Sequence, residues 1–258
     1  NFFRVNAAND LQAKTGAERA ELSWRLARAW LNLGDQAEDG GAGEAELLPF
    51  FEKGEAAAQA AIDADPQNHL GYYWKSANLG RWGQVKGILN SLFKAKPMRE
   101  LLQKAVAVKP DHSDSYYVLG QLFEQVPGFP VSFGDKDAAV SLGRKAVDLR
   151  AQQVKAGAEK ELDHDFYTEL AKHLWARDYS AAKRVQEQKK KLAKYESVKD
   201  PMEKNFYYEA AVSLANVSDR EEARQLIDWV IAQLQGIPNR DDGQEDDLTE
   251  AQEVKASW

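Results

Sequence analysis

Aromatic pairs punctuate the chain, and each opens a stretch in which small and apolar residues return every three or four positions. Tyr73-Trp74, Tyr116-Tyr117, Phe166-Tyr167 and Tyr207-Tyr208 follow one another at intervals of 41 to 50 residues, with Trp24-Arg25 in the matching place upstream. Tyr116, Leu119, Gly120 and Phe123 form one stripe; Tyr207, Ala210, Ala211 and Leu214 form another. Such steps place side chains on one face of an α-helix. A second apolar stretch follows the first, as in Leu101, Leu102, Ala105 and Val108 before Lys109-Pro110. Proline lacks the backbone N–H that a continuing helix needs. The pattern therefore predicts helix, turn and helix, repeated about five times between residues 20 and 235. Additions fall between helices at 34–46, 80–96 and 126–134; the first holds the flexible run Gly40-Gly41-Ala42-Gly43, and the second reads as extra helix or lengthened helix ends. Residues 1–19 read as a leading helical segment, and 236–258 as an acidic, solvated tail with a possible short helix ending near Trp258.

Composition narrows the classes of function. None of the 258 residues is cysteine, which removes disulfides, thiolate metal sites and cysteine nucleophiles together. A formal net charge of −7 argues against nucleic acid as a partner, since phosphate binding needs a basic face. No run approaches the roughly 20 apolar residues of a membrane span. The chain begins at Asn1 without Met, which reads as processing or trimming.

The repeat unit resembles the tetratricopeptide family, whose pattern runs from a bulky residue through leucine and a small residue to a second-helix alanine and a closing proline. Tyr116, Leu119, Gly120, Phe123, Ala139 and Ala146 follow it; so do Tyr207, Ala210, Ala211, Leu214, Ala223, Ile227 and Val230, while the fourth unit keeps only Phe166, Leu170 and Ala182. The resemblance implies an all-α, right-handed solenoid with long inter-helix insertions. Trp24-Arg25-Leu26-Ala27-Arg28-Ala29, the widened second unit with Lys86-Gly87-Ile88, and the long loop of the third unit look like the regulator-of-microtubule-dynamics group. A similar plan occurs in the T-component lipoproteins associated with bacterial TRAP transporters. Together with the missing Met, that second likeness tilts the expected compartment toward an exported, lipid-anchored or periplasmic bacterial protein, whereas the first points to the cytoplasm.

No catalytic signature stands out. The glycines at 34–43 lack the lysine and hydroxyl of a phosphate loop, no G-x-S-x-G elbow occurs, and Asp163-His164-Asp165 is one short cluster rather than a convergent metal site. The chain reads as a non-enzyme with no cofactor and no metal. Carrying the family's frame onto this sequence puts the second residue of each aromatic pair toward a concave groove: Arg25, Trp74, Tyr117, Tyr167 and Tyr208, with Asn78 and Gln121 four residues after two of them. Flat rings with polar tips bury area at low entropy cost and still hydrogen-bond. A family clamp for acidic peptide termini is incomplete, because Asp114 and Val118 stand where basic residues would be needed. Phe129 and Phe133, on the proline-broken loop, read as core cover, a lid or an oligomer contact. Lys183 to Lys194 reads as a solvated helix face interrupted by Glu187. These features point to a scaffold for protein recognition, with a small-ligand or transport-accessory protein as the alternative.

Overall fold

A computed structural model describes residues 16–209 and 217–258. Among them the fold is all helix, with no strand beyond one isolated bridge between Gly128 and Gly134. The chain divides into two compact units, residues 1–110 and 111–258. Residues 1–15 of the expected leading segment 1–19, and the stripe at Ala210, Ala211 and Leu214, lie outside the described residues; 16–19 open the first described helix.

The first unit holds α1 (Gly16–Asp39), α2 (Glu44–Ala64), α3 (His69–Lys86) and α4 (Ile88–Val108). Each helix packs on the next, and α3 also reaches back to α1. The run at 40–43 is a tight turn rather than a long loop: Gly41 takes φ 85°, and Ala42 N donates to Ala37 O at 2.9 Å. Asp65 and Pro66 end α2 as the sequence predicts, and the Asn68 side chain caps α3 by accepting from Leu70 N at 3.0 Å. The 80–96 insertion resolves into lengthened helix ends that meet at Gly87, whose φ of 92° favours glycine. Small residues on facing helices set the spacing. Ala20, Ala27, Ala58, Ala61 and Ala105 are fully enclosed, while Phe51, Leu102 and Leu79 fill the space between backbones.

The second unit holds α5 (Ser113–Gln125), α6 (Lys136–Lys155), α7 (His164–Arg177), α8 (Ala181–Ser197), α9 (Pro201–Asn205), α10 (Asp219–Gln235) and α11 (Asp242–Ala256). α5 packs on α6 and α6 on α7, with α5 also meeting α7. α10 covers α7, and α11 lies on α10 and α7. The 126–134 loop is tied by its own backbone, with Gly134 N donating to Pro127 O at 2.9 Å and Asp135 N to Phe123 O at 2.8 Å. Asp135 then caps α6. The stretch expected as an acidic, solvated tail with a short helix ending near Trp258 is helical over 15 residues; its Asp241 cap and Gln244 reciprocate hydrogen bonds, and its Leu248 and Ala251 are buried against Val230 and Leu234.

Candidate functional site

In the second unit, α7 carries Asp165, Glu169, Lys172 and His173 at steps of three and four, hence on one face. α5 offers Tyr117, Gln121 and Glu124 at the same spacing. The Tyr117 ring stacks on Phe166 with centroids 4.6 Å apart and planes 11° from parallel. Its hydroxyl donates to Asp165 and accepts from Gln121 Nε2 at 3.0 Å. Burial, with the charges of Asp165 and Glu169 beside it, pushes the Tyr117 hydroxyl far above the ordinary phenol range. Burial likewise pushes Asp165 up to about 7; the Tyr117 hydrogen bond opposes this, and Glu250 and Glu169 reinforce it. Lys172 donates to Glu169 Oε2 at 3.0 Å and to Glu250 of α11. Burial works against its charge, but the two carboxylates hold the ammonium above its usual range.

His173 occupies a slot that only glycines can make. A methyl group at Gly120 of α5 would stand 2.7 Å from its Nε2, and one at Gly143 of α6 would stand 2.9 Å from its Cδ2. Glu124 meets Nδ1 from the third side. Two groups of side chains here converge enough to hold a cation, Glu124 with Glu169 and His173, and Asp165 with Glu169 and Glu250, the ligand atoms lying within 4.8 Å of one another. Both are already engaged internally, through the His173 ring, the Lys172 ammonium and the Tyr117 hydroxyl.

The other aromatic positions are each engaged within their own unit. Tyr167 is half-buried and packs on Trp229 of α10 at 4.6 Å. Tyr208 donates to Asp148 Oδ2 at 2.6 Å beneath the Lys145 ammonium. Burial and that hydrogen bond push its hydroxyl above the ordinary range. In the first unit Trp74 is half-buried, its ring edge-on to Tyr73 at 5.1 Å and its indole N–H enclosed without an acceptor. Arg25 is exposed, pairs with Glu21 at 2.8 Å and lies over the Trp24 ring. Asn78 differs from the expectation of a groove amide. It is fully buried, donates to Trp74 O at 2.8 Å and Ala27 O at 3.3 Å, and fills the space over Gly54 that a methyl group there would take. It braces α3 against α1 and α2. The insertion loop splits its two rings: Phe133 packs edge-on to Phe123 at 5.2 Å, whereas Phe129 is 92% exposed.

Hydrophobic periodicity gives no sign of a buried ionic cluster in the second unit. Arg144 makes a two-pronged pair with Glu222 at 2.8 and 2.9 Å, and Arg177 makes another with Asp219 at 2.8 Å through both oxygens. Arg184 of α8 reaches Asp219 at 3.1 Å and the carbonyls of Val217 and Ser218 at 3.0 Å. Lys191, two turns on, reaches Asp137 O and Ser141 Oγ at 3.0 Å and Glu209 at 3.3 Å. Burial alone would raise Asp137 and Glu222, but Lys191 and Tyr179 around the first, and Arg144 and Arg184 around the second, hold both below the usual carboxylate range. Arg184 and Lys191 are the buried residues of α8.

With the helices and their polar faces in place, comparison with known proteins gives a consistent direction. The chain is similar to the regulators of microtubule dynamics. The family model for Regulator of microtubule dynamics protein 1-3 matches residues 5–127, which takes in the described part of the first unit together with α5. Regulator of microtubule dynamics protein 3 from Xenopus laevis is 29% identical over 40% of this chain and 22% of its own length. The proteins of the same name from Bos taurus and Rattus norvegicus are 24% and 23% identical over 52% and 62% of this chain, and 27% and 36% of theirs. The chain thus spans between about a fifth and a third of the curated relatives it matches. These vertebrate relatives overturn the expectation of an exported, lipid-anchored or periplasmic bacterial protein. That expectation rested on the first residue and on a shared repeat plan, and neither reports a compartment. No helix among the described residues is long and apolar enough to cross a membrane.

Proposed function

We propose that this chain is a non-catalytic helical-repeat module that recognises a protein partner in the regulation of microtubule dynamics. The observation that carries the reading is the family match over 5–127, where the paired helices are built. The packing of α1 on α3 and of α5 on α7 supports a solenoid-like order within each unit, because alternate helices then share one face. On this reading the partner-contacting residues are Arg25 and Trp74 in the first unit, and Tyr117, Gln121 and Tyr167 in the second, with Tyr208, which follows α9 and packs on α6, beside them. Half-buried rings, with the Tyr117 and Tyr208 hydroxyls tied to Asp165 and Asp148, provide contact area that is ordered before binding, so little rotamer freedom is lost when a partner arrives. Asn78 contributes by fixing the backbone that carries Trp74.

Co-sedimentation with polymerised tubulin, alone and with extract proteins added back, tests the reading. Trp74→Ala with Tyr167→Ala should weaken recovery in the pellet by at least about tenfold, as for aromatic hot spots, while the helical circular-dichroism signal is kept. Equal recovery of the folded double variant would place recognition elsewhere, and no recovery of the wild type under either condition would remove the microtubule role.

A further inference from the structure

α8 carries its charge outward. Two of its cations, Arg184 and Lys191, are spent inside the unit, but Lys189, Lys190 and Lys194 are exposed, and Lys183 and Lys199 continue the patch at either end. Among the described residues the ammonium groups of Lys189, Lys194 and Lys199 have no ion-pair or hydrogen-bond partner, and that of Lys190 has only Glu187 of its own helix, at 2.7 Å. In a chain of net charge −7 this is a local reversal of sign. The rim of the patch borders a recess of about 260 Å³ whose floor is Phe123, Phe206 and Tyr207 and whose edge is Lys190 and Lys194. The Phe123 and Phe206 rings lie 5.0 Å apart. The carboxylates that also border the recess are already committed: Asp137 to Lys191, Asp135 to capping α6, and Glu187 to Lys190.

A recess of that volume falls below the roughly 300–1,000 Å³ of a small-molecule pocket, so it suits one anchoring side chain. An aromatic floor selects an apolar anchor, and the exposed ammonium groups of Lys194 and of Lys190, the latter paired only with Glu187 of its own helix, select negative charge next to it. We propose that this recess is a docking site for an acidic peptide segment of a partner protein, which seats one large apolar residue in the recess against the Phe123 and Phe206 rings and lays its flanking carboxylates on Lys190 and Lys194. The recess shares no lining residue with the proposed partner face, although Tyr207 is the chain neighbour of Tyr208, and its peptide-binding test stands or falls independently of the microtubule reading.

The probe is a short fluorescein-labelled glutamate peptide with one central phenylalanine, titrated with the full chain and followed by fluorescence anisotropy. Saturable binding should weaken at least about tenfold in Lys190→Glu with Lys194→Glu, weaken on raising salt, and weaken similarly when the central phenylalanine of the peptide is replaced by serine. That last change leaves the protein untouched, so misfolding cannot mimic it. Lys155→Glu with Lys255→Glu, equal in charge change but away from the recess, should bind as the wild type does. Absent binding, or equal binding by the Lys190/Lys194 variant, overturns the proposal. So does retention on phosphatidylserine vesicles without peptide binding, which would make the patch a lipid contact, or a Lys190-dependent doubling of mass in sedimentation, which would make it a contact between copies.

Discussion

A methyl group placed at position 120 should reverse the sign of its effect depending on one side chain of a different helix. Gly120 lies inside α5, so Gly120→Ala gains about 1 kcal/mol from helix propensity alone. Against this, the new Cβ stands 2.7 Å from His173 Nε2, and the ring has no retreat, with Gly143 behind its Cδ2 and Glu124 on Nδ1. Overpacking of a filled site costs about 1–3 kcal/mol, so the net effect in the wild-type background is destabilisation of up to about 2 kcal/mol. His173→Ala alone should cost about 2–4 kcal/mol, since it empties a slot that is 1% exposed. In that background the obstacle is gone, and Gly120→Ala should now stabilise by about 1 kcal/mol. The coupling between the two sites is then about 1–3 kcal/mol, within the range seen for residues in contact. Urea titrations of the four proteins, followed by far-ultraviolet circular dichroism and tryptophan fluorescence, measure it. A Gly120→Ala effect of the same sign and size in both backgrounds would falsify the packing of α5, α6 and α7 around this ring.

Acidity should act through Asp165. Its folded value of about 7 lies above its ordinary 3.8, so its contribution to stability is full below about pH 4 and is lost as pH rises through 7. Asp165→Asn should flatten the fall in stability between about pH 4 and pH 7, measured by denaturant unfolding at each pH; an unchanged slope would refute the assignment. Asn78→Ala should lower thermal stability by about 1–2 kcal/mol, through loss of its bonds to Ala27 and Trp74, and a neutral outcome would remove it from the core. Leu248→Ala should cost about 2–4 kcal/mol and quench or shift the fluorescence of Trp175, which stacks on Trp258 beyond the same helix at 4.3 Å. Asp219→Asn should be the most damaging of these, about 3–5 kcal/mol, because it strands two buried guanidinium groups.

The helical hairpins were legible in the sequence wherever a core residue is apolar and a stop is proline or glycine. Tyr116, Leu119, Phe123, Ala139 and Ala146 are buried as their spacing predicts, and Asp65-Pro66 and Lys109-Pro110 close their helices. What escaped is held by polar atoms. α8 has no apolar buried face to detect, since its inward residues are Arg184 and Lys191. α11 looked like a solvated acidic run because two residues, Leu248 and Ala251, do its packing. Asn78 read as a groove amide for the same reason: an amide four residues after an aromatic looks alike whether it faces a ligand or the carbonyl of a neighbouring helix. The site residues were legible as types and positions on helices; their partners, such as Asp165 for Tyr117 and Asp148 for Tyr208, come from other helices and leave no local mark.

The anchoring of α8 also bears on how this fold can vary. An apolar seam tolerates slippage, because one leucine resembles the next and a helix can slide along it by a turn with most of its burial intact. Arg184 and Lys191 sit in sockets of carboxylates and carbonyl oxygens, each at fixed distances, and no slide of one turn along the helix brings a cation to both sockets at once. The helix is therefore keyed to one position by two side chains, and its remaining surface carries almost none of the burden of keeping it there. Substitutions along that outer surface can accumulate without moving the helix, so the charge and shape presented by this one element can change while the architecture beneath it stays constant.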